Sequence, residues 1–132
     1  MRVTFAQARS AYSALQAIGG ADGAGRLRYP LPPAAHARVL ALLRALRGPV
    51  EDSDAVLEAV TAEHRDPERR DMDGGVPIRD ALAYRRAVAE AMRTEVEIDA
   101  LPLTQELLGE AAAAIPPALL AELGPLYELA EG

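Results

Sequence analysis

The chain contains no cysteine, lysine, asparagine or tryptophan, and it has only one phenylalanine and four tyrosines. The absence of cysteine excludes disulfides, thiolate metal sites and cysteine nucleophiles. Because aromatic side chains are few, leucine, alanine, valine and isoleucine must form most of the core. This composition favours helices that pack closely on small side chains, and 132 residues are enough for one domain with its own core.

A concentrated basic face is also missing. The chain has 20 acidic and 14 basic residues and a net charge of −6, which disfavours nucleic acid as a partner because phosphate binding requires clustered positive charge. No apolar run approaches the roughly 18–20 residues of a membrane span, and Met1–Phe5 lacks the apolar core of a signal peptide. The sequence therefore predicts a soluble protein that binds neither nucleic acid nor membrane.

Residues 93–99, Arg-Thr-Glu-Val-Glu-Ile-Asp, form the one strictly alternating segment. Val96 and Ile98 face one side and the acidic residues face the other, which is typical of a half-buried strand. We expect this segment to pair with a short strand over residues 2–5, because a single strand of this length is not stable alone.

The other patterns in the first half of the chain are helical. Thr4 and Gln7 have the spacing of a capping box and predict a helix that runs to about Ile18. Pro33 suits the first position of the next helix, whose apolar stripe begins at Val39.

Gly48-Pro49 interrupts this stripe and predicts either a kink or a break, after which the helical pattern resumes to about His64. A further helix is predicted from about Ile78 to Arg93. Its predicted apolar face consists of Leu82, Val88, Ala89, Met92 and the stems of Arg85 and Arg86, with Tyr84 beside it. We expect the long helix and this one to form the two arms of an antiparallel hairpin.

Short helices are predicted at about 105–112 and 117–123. The predicted fold is mainly α, with an antiparallel helical hairpin, a small two-stranded β element and short C-terminal helices. Residues 1–132 are expected to form a single domain, with a helical body at about 4–93 and a strand and helical cap at about 94–132.

Several patterns imitate catalytic or ligand-binding motifs without completing them. The segment from Gly20 to Gly25 and Arg26 lacks the Lys and Ser/Thr of a phosphate-binding loop, and the segment from Asp71 to Gly74 lacks the later carboxylates of a calcium loop. No serine lies in a strained glycine turn, and the two histidines, His36 and His64, have no metal-ligand spacing. We therefore predict no catalytic residue, no metal ion and no cofactor.

Glu95, Glu97 and Asp99 would lie about 6–7 Å apart along one strand face. Such carboxylates can bind a cation, or one of them can have a raised pKa for acid/base chemistry. The favoured interpretation is a solvated face whose charge protects the edge of the sheet.

Four arginines in the two long loops are candidate ligands for an anion or an acidic partner: Arg26, Arg28, Arg69 and Arg70. This prediction requires the hairpin to bring both loops to one end. Acidic residues adjoin each cluster, so a solvated loop of mixed charge is the favoured interpretation.

The C-terminal segment is rich in apolar residues. The candidate partner-binding residues are Leu120, Leu123, Leu126, Tyr127 and Leu129. They either cover the apolar face of the hairpin, which is the favoured interpretation, or form a docking surface for another chain.

Three short motifs follow one another in a recognisable order: Leu31-Pro32 before the long helix, the segment from Thr94 to Asp99, and the segment from Leu123 to Glu128. In this order the chain resembles a group of small, mostly uncharacterised proteins encoded in tailed-phage and prophage genomes, over nearly its whole length. It departs from that group in the loop from Gly19 to Arg28, which resembles an insertion, and at Gly48-Pro49, where the others stay helical.

The resemblance implies a phage context, with synthesis in the host cytoplasm and the virion as the alternative location. We expect a non-enzymatic protein that acts through protein–protein contacts, as a virion or tail-assembly component, and that binds a protein partner or forms a homo-oligomer. The alternative is a small inhibitor of a host enzyme or defence system, which binds a partner or sequesters an anionic nucleotide. An acid/base or metal-dependent enzyme that uses the carboxylates of residues 95–99 is the third hypothesis.

Overall fold

The computed structural model describes residues 1–20, 27–69 and 75–129. Within these ranges the elements are β1 Arg2–Thr4, α1 Phe5–Gly19, α2 Pro33–His64, α3 Ala81–Met92, β2 Glu95–Glu97, β3 Leu103–Thr104, α4 Gln105–Leu108, α5 Ala111–Ala114, α6 Pro117–Ala121, a 3-10 turn at Gly124–Leu126, and β4 Tyr127–Glu128. The predicted fold class is confirmed: a long helical hairpin, a two-stranded antiparallel element and short C-terminal helices. The parallel pair formed by β3 and β4 was not predicted.

The strand pairing predicted at residues 93–99 is present. β1 and β2 are antiparallel, with Val3 opposite Val96. The ladder continues beyond both strands, because the Phe5 N–H donates to the Thr94 carbonyl at 2.9 Å and the Ile98 N–H donates to the Met1 carbonyl at 2.8 Å. This pairing joins the end of the hairpin to the start of α1.

The predicted helix starts are also observed. The Thr4 hydroxyl accepts from the Gln7 N–H at 3.1 Å, and the Gln7 side chain accepts from the Thr4 N–H at 2.9 Å, which completes the capping box. Pro33 is the first residue of α2, where its missing N–H costs no helical hydrogen bond.

α2 is continuous from Pro33 to His64, so the predicted alternative of a break at Pro49 is wrong. A proline inside a helix lacks the donor for the carbonyl four residues before it, and its ring disfavours the helical conformation of the preceding residue. The preceding residue is Gly48, whose missing Cβ removes part of that steric clash. The helix therefore tolerates Pro49 at an energetic cost that the surrounding packing must offset.

α3 starts later than predicted and presents a different face. Ile78 forms an isolated antiparallel bridge with Arg65, and the helix begins after Asp80, whose carboxylate accepts from the N–H groups of Leu82 and Ala83. Leu82 is 58% exposed, so it does not belong to the buried face.

The half-buried face of α3 consists of Ala83, Tyr84, Ala87, Val88, Ala91 and Met92, and Ala89 is exposed. Tyr84 determines this orientation, because its hydroxyl lies 2.9 Å from the Thr61 hydroxyl of α2 and its ring centroid lies 5.9 Å from that of His64. The predicted apolar face is therefore wrong at Leu82 and Ala89, which are exposed, and correct at Val88 and Met92.

One hydrophobic cluster connects α1, the first half of α2 and the C-terminal cap. Its buried members include Leu15, Ile18, Leu42 and Leu46 from the helices, and Leu103, Leu108, Ile115, Leu123 and Leu126 from the cap. The second half of α2 and all of α3 contribute no buried apolar residue. We call the part of the hairpin formed by residues 50–64 and α3 the arm; its apolar face is only half covered.

Candidate functional site

The surface of the cap contains an apolar groove of about 320 Å³ lined by Pro117, Leu120, Ala121, Gly124, Tyr127 and Leu129. We call it the cap groove. Three of the five candidate partner-binding residues, Leu120, Tyr127 and Leu129, lie in its wall. Leu129 is 73% exposed, which is the highest exposure among the large apolar side chains that the structure describes.

Leu123 and Leu126 are not on this surface. Both are fully buried in the hydrophobic cluster, so neither side chain is accessible to another chain in this fold. Their burial corresponds to the interpretation in which the C-terminal segment covers the apolar face of the helices. The C-terminal leucines therefore divide into an inner pair and an outer set.

The local structure explains this division. Pro117 begins α6, and Gly124, with a φ of 54°, turns the chain into the 3-10 turn that ends at Leu126. A φ in this range is accessible to glycine at little cost and disfavoured for other residues. β4 then pairs in parallel with β3, with Leu103 opposite Tyr127, which holds the tyrosine at the edge of the groove.

The groove lies in an acidic region. Residues 100–129 contain Glu106, Glu110, Glu122 and Glu128 and no basic residue. Glu122 and Glu128, which adjoin groove residues in the sequence, are both exposed. Burial raises the pKa of Tyr127, so its phenol stays neutral at physiological pH. The cap groove thus combines an apolar surface with nearby negative charge.

The two loop arginines that the structure describes, Arg28 and Arg69, do not converge. Arg28 is exposed and close to the end of α1, since its N–H donates to the Gly20 carbonyl at 3.1 Å. The end of α1 touches α2 near Val39, because a Cβ added at Gly19 would lie 2.9 Å from Val39 Cγ1. Arg69 is exposed and follows the other end of α2.

From Val39 to His64, α2 rises by about 38 Å, at 1.5 Å per residue. Arg28 and Arg69 are therefore near opposite ends of the hairpin, and the condition that both loops share one end is not met by the described residues. Arg26 and Arg70, like the Asp71–Gly74 pattern and most of the Gly20–Gly25 loop, lie outside the described residues.

The carboxylates of residues 95–99 are largely paired. Glu95 lies 3.5 Å from the Arg2 guanidinium, and Glu97 lies 3.0 Å from the amino group of Met1 and 3.7 Å from Arg2. The hydrogen bond from the Met1 amino group, with a smaller effect of Arg2, lowers the pKa of Glu97 below its usual 4.5. A lowered pKa is the opposite of what a general acid at neutral pH requires.

Glu97→Gln is expected to reduce the acid sensitivity of the fold. A carboxyl group whose pKa is lower in the folded than in the unfolded state contributes stability above its unfolded pKa, and this stability is lost as the pH falls through the folded pKa. The difference in melting temperature between pH 7 and pH 3 should therefore be smaller in Glu97→Gln than in the wild type. Glu106→Gln is the matched control, and an equal change in both variants would contradict the expectation.

His64, Ser10 and Ser53 have structural partners. His36 and His64 lie on one helix about 42 Å apart at 1.5 Å per residue, so they cannot share a metal ion. His64 Nδ1 is 2.9 Å from the Val60 carbonyl. The Ser10 hydroxyl donates to the Glu122 carbonyl at 3.2 Å, which ties the cap to α1. Among the described residues, no group of three or more His, Asp or Glu side chains has a metal-binding arrangement.

The sequence patterns did not predict the cluster at the base of the arm. Ser53 is the only fully buried polar residue among those that the structure describes. Its hydroxyl donates to the Val50 carbonyl at 2.7 Å and accepts from the Arg9 guanidinium at 2.9 Å, while Arg9 also pairs with Asp54. The only local signal is a serine in a helix one turn after a proline, which does not identify the distant arginine. This cluster fixes α1 against α2 just beyond Pro49.

No family model, curated protein or solved structure matches this chain. No helix within the described ranges is both long enough and apolar enough to cross a membrane.

Proposed function

We propose that this protein is a non-enzymatic, phage-encoded component of a virion or tail assembly that acts by binding another protein through the cap groove. The observation that carries the proposal is the groove of about 320 Å³, in which Leu120 and Tyr127 are half-buried and Leu129 is exposed, while Leu123 and Leu126 are buried in the core. The resemblance of the Thr94–Asp99 and Leu123–Glu128 motifs to small tailed-phage proteins supports the phage context.

The chemistry of the groove limits its partner. An apolar wall of this size accommodates a large aliphatic or aromatic side chain, and such an anchor in a pocket contributes much of the affinity of a protein interface. Glu122 and Glu128, which adjoin groove residues, favour a partner segment with basic residues beside that anchor, because complementary charge accelerates association and selects the partner. The proposed occupant is therefore an apolar side chain flanked by arginine or lysine, supplied by another protein of the assembly.

Site-specific photocrosslinking tests this proposal. A photoreactive phenylalanine analogue is placed at position 129, and the tagged protein is expressed together with the other proteins of its own phage or prophage during particle production. The expected result is one predominant crosslinked polypeptide that is also present in purified particles. Position 101 provides the matched control, since Leu101 is 66% exposed and lies outside the groove.

Equal crosslinking from positions 129 and 101, or crosslinking at position 129 only to another copy of this chain, would contradict the proposal. A competing peptide with an apolar residue between two arginines should reduce the crosslink from position 129. The same peptide with the central residue replaced by serine should not.

The alternative of nucleotide sequestration through the loop arginines receives no support from the described residues, because Arg28 and Arg69 are near opposite ends of α2.

A further inference from the structure

The outer surface of the arm carries two matching stripes. On α2 the exposed residues Glu51, Ala55, Glu58 and Ala62 lie on the side away from α3, and on α3 the exposed residues Leu82, Arg86, Ala89 and Arg93 lie on the side away from α2. Each stripe is continuous on a helical surface, because residues three and four apart are neighbours.

The stripes have the same spacing. Steps of four, three and four residues lead from Ala62 back to Glu51, and the same steps lead from Leu82 forward to Arg93. When the helices are placed antiparallel, the two stripes face each other position by position. Leu82 then lies opposite Ala62, Arg86 opposite Glu58, Ala89 opposite Ala55, and Arg93 opposite Glu51.

We infer that the arm binds a second copy of this chain head to tail, with the α2 stripe of one copy packed against the α3 stripe of the next. Each contact contains two pairs of opposite charge and two apolar pairs. The small alanines allow two helices to approach closely, within the usual interaxial distance of about 8–10 Å.

The charges on these stripes are available for such a contact. Among the described residues, Glu51, Glu58 and Arg86 form no ion pair, and Arg93 has only a 4.0 Å contact with Glu90, both side chains being 81% exposed. An exposed pair of this kind contributes little to stability, so it does not oppose a new partner.

A groove of about 580 Å³ adjoins the α2 stripe. Glu58 and Ala62 belong to its lining, together with the apolar side chains of Leu57 and Val76. Leu82 of the next copy would lie opposite Ala62, at the edge of this groove. The contact therefore covers Leu82, which is 58% exposed.

The position of α3 within the chain sets the shift between neighbouring copies. Within one chain, Thr61 on α2 contacts Tyr84 on α3, whereas between copies Ala62 lies opposite Leu82. The α3 of the next copy is therefore displaced along α2 by about one residue, or about 1.5 Å, relative to the α3 of the chain itself. Such a head-to-tail contact forms a ring where the rotation between copies closes, and an open array where it does not.

The two stripes lie on different helices and face different sides of the arm, so two copies that share one contact each keep one free stripe. Association therefore continues beyond the dimer. This self-association uses a different surface from the cap groove, and it stands whether or not the groove binds a partner.

Charge reversal tests the contact. Glu58→Arg places two arginines opposite each other, and Arg86→Glu places two glutamates opposite each other, so each variant alone should associate at least about tenfold more weakly than the wild type. An equimolar mixture of the two variants should restore assembly, because every contact in an open array or an even-numbered ring of alternating variants then contains one arginine and one glutamate. The double variant Glu58→Arg/Arg86→Glu should assemble alone.

The measurement is light scattering with size-exclusion chromatography over a concentration series that reaches the millimolar range, with circular dichroism to establish that each variant is folded. The expected wild-type mass rises to three or more chains. Glu63→Arg is the matched control, since it makes the same charge change on an exposed α2 residue outside the stripe and should assemble like the wild type.

Three results would overturn the inference: a wild-type protein that stays monomeric or stops at a dimer, single variants that assemble like the wild type, or a mixture that does not recover. A missing crosslink at position 129 would count only against the cap groove, so the two proposals fail independently.

Discussion

Leu126→Ala is expected to lower the free energy of unfolding by about 2–5 kcal/mol, the usual cost of removing a fully buried leucine side chain and leaving a cavity. Leu126 has no exposed surface and belongs to the cluster that contains Leu15 and Leu42. A typical domain has only about 5–15 kcal/mol of stability, so this loss should be evident in urea denaturation at a constant m-value.

Leu129→Ala is the matched control for this experiment. The same atoms are removed three residues later, from a side chain that is 73% exposed, so the free energy of unfolding should change by less than about 0.5 kcal/mol. Equal losses in both variants would show that Leu129 also packs inside the fold. Negligible losses in both would show that the cap does not belong to the folded core.

Pro49→Ala is expected to raise the free energy of unfolding by about 1–3 kcal/mol, although most substitutions destabilise a protein. Proline costs about 3 kcal/mol relative to alanine inside a helix, because it removes a hydrogen bond and clashes with the preceding turn. Alanine also gives the unfolded chain more freedom, which offsets about 0.4–1 kcal/mol of the gain. α2 continues through this residue, so the donor restored by alanine is in place to bond.

Pro33→Ala is the corresponding control at the first position of the same helix. A missing N–H has no cost there and the fixed φ favours the helix, so alanine should stabilise nothing and should cost a few tenths of a kcal/mol. Chemical denaturation of both variants provides the comparison. A loss of stability in Pro49→Ala would mean that packing of the half-buried proline ring stabilises the fold by more than the proline destabilises the helix.

Local patterns predicted the elements whose structure depends on neighbouring residues. The Thr4–Gln7 capping box, the start of α2 at Pro33 and the alternation of Val96 and Ile98 each involve groups at most a few residues apart. The pairing of β1 with β2 was also predicted, because only two segments of the chain alternate and neither is stable alone.

The rotation of α3 is a different case. Leu82 is a stronger hydrophobe than Ala83, and periodicity alone placed it inside. The hydrogen bond between Tyr84 and Thr61 turns the helix so that Leu82 faces outward. Thr61 and Tyr84 are 23 residues apart in the sequence, and a polar contact between them is not visible in the pattern of apolar residues.

The candidate site was predicted only in part. The apolar composition of the C-terminal segment identified the leucines, but not which of them are buried. Gly124 and the pairing of β4 with β3 turn Leu123 and Leu126 inward and leave Leu120, Tyr127 and Leu129 along the groove. Elements this short do not contain enough residues for the helical period to distinguish a buried face from an exposed one.

By itself the sequence determined the helical class, the two paired strands and the ends of α1 and α2, because these follow from backbone capping, proline geometry and the alternation of apolar residues. Only the tertiary structure decided that α2 continues through Pro49, that Arg28 and Arg69 lie near opposite ends, and that Arg9 reaches Ser53 at the base of the arm. The physical reason is the separation of these residues along the sequence. Contacts between residues far apart in the chain form when the helices pack, and a pattern within a few residues does not predict them.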